Sequence, residues 1–443
     1  LGGSLQLTEG IETPESQLLI EFIKKKTCHY IKMEVMQLQR KQSSDGYKIF
    51  QENHELQYLM ELYINTLKLP LAKRRRALAH IEKEVSMLSS IESSDARNRA
   101  MLKRDELRKS SLAENEKKVK SEIAKIWAEI DNMSLGLEHF FREFGQIYKI
   151  ISVKDQRAEI MKLPEFYAEL LISGHTIELL DGDTGTISEA WFSAICKHIH
   201  KSKPNLRIFV ISILGLQSSG KSTLLNALFA CRFAVSVGRC TRGLFMRLLF
   251  LDEDLSNQLG VDAFVLIDTE GLGAPEKMNE PESEKKDRIL ATFAMGVSNL
   301  TILNVLGEST RDLTEILQIA IVTMARLEKA DMAPDILMVQ HISERNKAKL
   351  SEPEEKFREA LREALRIADE QDTVMGISSI KCLQILDERI KKGQLLRQFR
   401  PFKNGATAHA PPSRQYHEDI VGLYNSILED CKNSQGKIEF VKW

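Results

Sequence analysis

Cysteine is sparse in this chain and never paired at close spacing. Cys28, Cys196, Cys231, Cys240, Cys382 and Cys431 contain no CxxC pair. That scatter argues against a disulfide framework or a zinc ribbon and fits a reducing compartment. Long apolar runs are also missing. The longest, from Ile208 to Leu216, is interrupted by Ser212 and falls far short of the roughly 20 residues that a membrane-spanning helix needs. No transmembrane segment is expected. Charge of one sign is lacking too: 62 Lys and Arg face 63 Asp and Glu. No global field draws the chain to nucleic acid or membrane, and no sequence-specific nucleic-acid partner is expected. What is present, 43% hydrophobic and 28% charged residues over 443 positions, is the composition of a globular protein of two or three domains. The chain opens on Leu1 without a basic-then-apolar leader, and the expectation is an excerpt from a longer polypeptide.

Glycine is missing from 47 to 135, and proline between Pro70 and Pro164. Where helix breakers are missing and charged residues mix with aliphatic ones, long helices are predicted. Breaks are expected at Ser43–Gly46, Leu69-Pro70, Ser93–Asp95 and Asn132–Gly136, and one helix is expected to run from about Arg97 to Ile130, roughly 50 Å. Val119, Ile123, Ile126 and Ile130 mark its buried face. From Leu71 to Ile126 there are 15 Lys and Arg against 9 Asp and Glu, densest at Lys73–Arg76. An anionic surface is one partner for such a stretch, and a solvated helix face with i,i+4 ion pairs is the plainer reading. The division predicted is a helical region over 1–174, a connecting segment over 175–200 and an α/β P-loop domain over 201–443. Within the connector, Thr176–Leu180 reads as extended, Asp181–Gly185 as a turn, and Ser188 opens a helix that reaches His200.

The α/β domain opens on Arg207–Leu214, a buried-strand pattern that runs straight into Gly215-Leu216-Gln217-Ser218-Ser219-Gly220-Lys221-Ser222-Thr223. This is GxxxxGK[ST] between a strand and a helix, the setting the motif requires. Its backbone N–H groups would cradle phosphate oxygens and Lys221 would place its charge between the β- and γ-phosphates, with Ser222 as a Mg²⁺ ligand. A second strand, Phe264–Ile267, ends in Asp268-Thr269-Glu270-Gly271, a DxxG. Asp268 would hold Mg²⁺ through water and Gly271 would contact the γ-phosphate. Between them, Thr241 in Arg239-Cys240-Thr241-Arg242-Gly243 is the candidate to close on Mg²⁺ and position water. Thr269 stands where many P-loop ATPases carry a glutamate, which disfavours an ATPase.

The run Gly215–Ser222 resembles the dynamin-type P-loop. Asp268–Gly273, Cys240–Gly243 and Asn304 in Thr301–Asn304 resemble guanylate-binding proteins and atlastins. Together with Phe402–Thr407, Pro411-Pro412 and Tyr416-His417, the chain from about 175 to 430 resembles the interferon-inducible very large GTPases and their relative, the up-regulator of cell proliferation. The resemblance implies GTP binding and hydrolysis, stimulated when two G domains self-associate, in an interferon-induced cytoplasmic protein that also enters the nucleus. It also implies that Gln217 orients water and that Ser218 helps hold a monovalent cation. Guanylate-binding proteins carry a catalytic arginine where Ser218 stands, so their finger does not transfer; Arg239 and Arg242 are the remaining candidates. Base recognition has no NKxD or Arg-Asp pair. The expected strand Ile336–Val339 is followed by Gln340 and His341 as the available base contacts, and Asn346–Lys349 lacks the carboxylate. Three readings follow: a GTPase, a nucleotide-gated assembly module with little hydrolysis, and a coiled-coil ATPase, which the position of the P-loop after the helices disfavours.

Overall fold

The structure, a computed structural model, describes residues 13–35, 52–109, 113–154, 160–182, 185–231, 233, 243–272, 281–307, 309–328, 330, 332, 335–342, 351–375, 395–400, 413–434 and 436–443. The chain forms two compact units, one of 1–173 with 187–202 and one of 174–186 with 203–443. The segment 175–200 is thus shared between them: its strand enters the second unit and its helix the first.

The first unit is helical. In chain order it comprises α1 (Pro14–Lys26), α2 (Cys28–Val35), α3 (His54–Leu67), α4 (Leu71–Glu92), α5 (Ser94–Lys109), α6 (Ala113–Met133), α7 (Leu137–Lys154), α8 (Leu163–Ile172) and α9 (Glu189–Ser202). Caps set the starts: the Thr13 hydroxyl accepts from the Ser16 N–H, and Asn53 accepts from Leu56 N–H at 2.9 Å. An aromatic core forms where Tyr63 stacks on Phe140 at 4.7 Å, and Phe141, Tyr148 and Tyr167 surround the buried Trp191.

The single helix expected over Arg97–Ile130 is instead two, α5 and α6, which fold back on each other. Ala96 and Ala100 on α5 pack against Ile126, Trp127 and Ile130 on α6. Arg99 pairs with Glu129 at 2.8 Å and Lys103 with Glu122 at 2.7 Å, a register that requires antiparallel helices. Two alanines a turn apart let the backbones approach, and Ile126 and Ile130 of the buried stripe find cover within the same hairpin. Within the basic run Arg74 is buried: its guanidinium donates to the Leu69 and Phe166 carbonyls, pairs with Glu169 at 2.8 Å and lies over the Phe166 ring. Lys73, Arg75 and Arg76 are exposed.

The second unit is a sheet of β1 (Ile177–Asp181), β2 (Arg207–Gly215), β3 (Gly243–Phe250), β4 (Ala263–Thr269), β5 (Leu300–Leu306), β6 (Asp335–His341), β7 (Leu396–Phe399) and β8 (Ile438–Glu439). The strand order is β1-β3-β4-β2-β5-β6-β7, with β8 on the first residues of β2. Strands β4, β2, β5, β6 and β7 run parallel; at one edge β3 pairs antiparallel with β4, and β1 antiparallel with β3. The helices here are α10 (Lys221–Phe229), α11 (Glu253–Leu259), α12 (Pro281–Gly296), α13 (Thr310–Glu328), α14 (Ser351–Met375) and α15 (Arg414–Asn433). Phe209, Ile211 and Ile213 of β2 pack with Leu224, Leu228, Phe264, Leu423 and Ile427 in the core beneath α10 and α15. Each such fully buried side chain is worth about 1.5–3 kcal/mol of transfer free energy. The expected strand Ile336–Val339 extends further, so that Gln340 and His341 lie within β6 rather than after it. Among the described residues, no helix is long and apolar enough to cross a membrane.

Candidate functional site

The sheet changes direction at β2: the chain leaves it for β3 and β4 on one side and returns on the other as β5. In an open α/β sheet such a switch point leaves a crevice beyond the carboxyl ends of the strands. The loop from Gly215 to Gly220 fills this position. Ser218 (φ 61°) and Gly220 (φ 85°) are left-handed, a succession that turns neighbouring N–H groups toward one concavity. Gly215 is required by crowding: a Cβ there would lie 2.2 Å from the Asn304 carbonyl oxygen, its cross-strand partner. Ser219 is buried, with its N–H on the Leu216 carbonyl at 3.2 Å. Lys221, Ser222 and Thr223 form the first turn of α10.

The Lys221 ammonium, buried, donates to the carbonyls of Gly215 (3.2 Å) and Leu216 (3.1 Å), so the loop holds its own cation at its mouth. The Ser222 hydroxyl donates to Asp268 Oδ2 at 2.6 Å, joining the two motifs that the sequence separates by 46 residues. Hydroxyl and carboxylate are both hard oxygen donors, side by side at the loop, and this donor set fits Mg²⁺.

The DxxG end is stitched to the loop by backbone. Leu272 N–H donates to Gly215 O and Gln217 N–H to Leu272 O, each at 3.0 Å. Gly271 lies in this seam, where a Cβ would meet Gln217 Cα at 2.4 Å. The Gln217 side-chain carbonyl is buried with no hydrogen-bond partner among the described residues. Thr241, together with Arg239, Cys240 and Arg242, lies outside the described residues. Gly243, two residues after Thr241, is left-handed (φ 74°) and held from two sides. Its carbonyl accepts from Glu270 N–H at 2.8 Å, and its own N–H donates to Glu270 Oε2 at 3.2 Å. Reading the motifs alone assigned Glu270 no task. Glu270 and Gly243 are 27 residues apart in sequence, and only the pairing of β3 with β4 brings them together, so no local pattern announced the contact.

At the far side, Asn304 of β5 is fully buried and donates through Nδ2 to the Ser219 carbonyl at 2.7 Å, while its Oδ1 lies 2.9 Å from His341 Nε2. His341 packs edge-on to Phe399 and near-parallel to Tyr416, and burial pulls its pKa down to about 4. Gln340 is wholly buried, with Nε2 donating to Gly307 O at 3.2 Å. Of the two expected base contacts, Gln340 therefore serves the sheet in this arrangement, and His341 stands at the end of β6. Asn346–Lys349 lie outside the described residues.

A mainly parallel sheet with a GxxxxGK[ST] loop at its switch point, and a DxxG laced to that loop, defines a P-loop GTPase fold. The URGCP-like GTPase domain matches residues 20–392, and the chain belongs to that family. The match begins in α1, so the helical unit belongs to the family's domain as well, and not only the region from 175 onward. The chain is 37% identical over 331 residues to interferon-induced very large GTPase 1 of Mus musculus, covering 74% of this chain and 13% of that protein. It is 36% identical over 324 residues to its Homo sapiens counterpart (72% and 13%). To the up-regulator of cell proliferation of Bos taurus it is 30% identical over 314 residues (68% and 33%). The chain thus spans a third or less of each of these relatives.

Proposed function

We propose that this chain binds GTP together with Mg²⁺ and hydrolyses it, with turnover stimulated by association of two G domains. The observation that carries the reading is the Lys221–Ser222–Asp268 arrangement: an ammonium held at the mouth of the loop beside a hydroxyl and a carboxylate in direct contact. Lys221 supplies a fixed positive charge to the phosphates, exchanging loop carbonyls for phosphate oxygens. Ser222 and Asp268 would hold the metal, and Thr241 is the further ligand in this reading. When bound, Mg²⁺ neutralises charge on the β- and γ-phosphoryl oxygens. The N–H groups of Leu216, Ser218, Gly220 and Thr223 are the loop's and the first helical turn's candidates for phosphate oxygens, favoured by the helix dipole of α10. Gln217, whose side-chain oxygen is buried and unclaimed among the described residues, orients the attacking water. Catalysis is then positioning and electrostatics, the terms that dominate phosphoryl transfer. The names of the relatives support an interferon-induced protein, and free buried Cys28, Cys231 and Cys431 are compatible with a cytoplasmic and nuclear setting.

Phosphate release from GTP, measured over a range of protein concentrations with ATP alongside, tests the proposal. The expected result is GTP turnover per molecule that rises with concentration and little release from ATP. GTP binding with no phosphate at any concentration would replace it with the second reading, a nucleotide-gated assembly module.

A further inference from the structure

The Asn304 amide is read from both sides. Its Nδ2 faces the Ser219 carbonyl, which can only accept, so this atom is the donor and the amide orientation follows. Oδ1 must then be the atom 2.9 Å from His341, and an oxygen that can only accept requires a proton on His341 Nε2. In a neutral imidazole the other nitrogen, Nδ1, carries a lone pair and no proton. Burial favours that neutral form, and Nδ1 has no hydrogen-bond partner among the described residues. The phosphate loop thus dictates, through one buried side chain, which hydrogen-bonding face the histidine presents.

The place matters as much as the tautomer. His341 ends β6, two strands from the loop-bearing β2 and on the same carboxyl edge, roughly 10 Å across the sheet. Leu306, its register partner at the end of β5, is 58% exposed while the other six residues of that strand are buried. An acceptor beside an open apolar side chain, at the edge where a nucleotide's phosphates are held, suits a purine ring.

We propose that His341 is the base-reading residue of this site, accepting the N1–H of a guanine-type base through Nδ1, with Asn304 as the positioning residue that fixes its tautomer. This rests on the GTP-binding reading above and specifies its selectivity. Guanine and hypoxanthine both carry a proton on N1, whereas adenine presents a lone pair there, which would face the Nδ1 lone pair. A carboxylate would engage both N1–H and the 2-amino group, but a single nitrogen acceptor engages N1–H alone. The site should therefore read the class of 6-oxopurines and be indifferent to the 2-amino group.

Binding of GDP, IDP and ADP, each with Mg²⁺, to the full chain by titration calorimetry tests this without any substitution. IDP is expected within about threefold of GDP, and ADP at least about tenfold weaker, the range of one neutral hydrogen bond made or mismatched. His341→Phe, which keeps the ring against Phe399 and Tyr416, should bring the GDP-to-ADP ratio close to one. Asn304→Ala should lower that ratio in part, since the tautomer is then unfixed. IDP binding tenfold or more below GDP would overturn the proposal. So would an unchanged GDP-to-ADP ratio in a folded His341→Phe protein, and Lys221-dependent GDP binding in that case leaves the GTPase reading standing. No Lys221-dependent nucleotide binding at all would remove both.

Discussion

The candidate site depends on a few atoms that tolerate no addition. Gly271 shows this most sharply, since a methyl group there would overlap the Gln217 backbone. Gly271→Ala is expected to destabilise the second unit by about 1–3 kcal/mol, the usual cost of overpacking. It should also weaken nucleotide binding, because Gln217 N–H and Leu272 O would be pushed apart. Thermal denaturation and nucleotide titration check both; an alanine variant with unchanged melting and affinity would show that the seam can open freely. Residues of this kind were legible where chemistry is local. Gly215, Lys221, Ser222, Asp268 and Gly271 sit at fixed spacing in short motifs, and their residue types point to phosphate and metal. Asn304 was visible only through a family resemblance. Its role arises from the cross-strand pairing of Gly215 with Asn304 and of Leu306 with His341, which no local pattern encodes. Gln340 was legible as a polar residue near a strand end, but its full burial depends on how far β6 extends.

Among the elements, the strands leading into the P-loop and the DxxG were legible because each is a short apolar run with an abrupt polar end, whereas β3 and β5 were not read as strands. β7 and β8 were also missed: four and two residues long, they gain their identity from β6 and β2, their neighbours in the sheet. The α5–α6 hairpin was missed for a different reason. Lys109-Ser110-Ser111 contains no glycine or proline, and helix propensity alone allows the pattern to continue. What favours folding back is that the Val119–Ile130 stripe needs cover and Ala96 and Ala100 offer a close-packing face. Ala100→Leu should therefore separate the two helices and cost about 1–3 kcal/mol. Chemical denaturation followed by helical circular dichroism checks this. A variant as stable as the parent would mean that the hairpin seam is not closely packed.

Across the whole molecule, each unit buries a histidine in its neutral form. His139 is held well below its ordinary range by burial, with Lys32 and Arg142 adding to it, and it accepts from the Gly136 N–H at 3.0 Å. His341 is lowered to about 4 by burial. Because the unfolded chain takes up these protons near pH 6.5 and the folded chain does not, stability falls as pH drops from about 6.5 toward 4. Glu82 and Glu315, whose carboxyls burial pushes up, act in the opposite sense, so the histidine contribution has to be isolated. The fall in urea midpoint between pH 7.5 and 5.5 should be smaller in His341→Gln than in the parent protein; an equal fall would remove His341 from the linkage.

The proposed function stands on the loop from Gly215 to Thr223 acting as a phosphate site whose key charge is Lys221. Its most direct test is GTP titration of the parent protein and Lys221→Ala, with a thermal melt of each. Saturable GTP binding is expected of the parent and none of the variant, with both chains folded. GTP binding of parental affinity by a folded Lys221→Ala protein would contradict it.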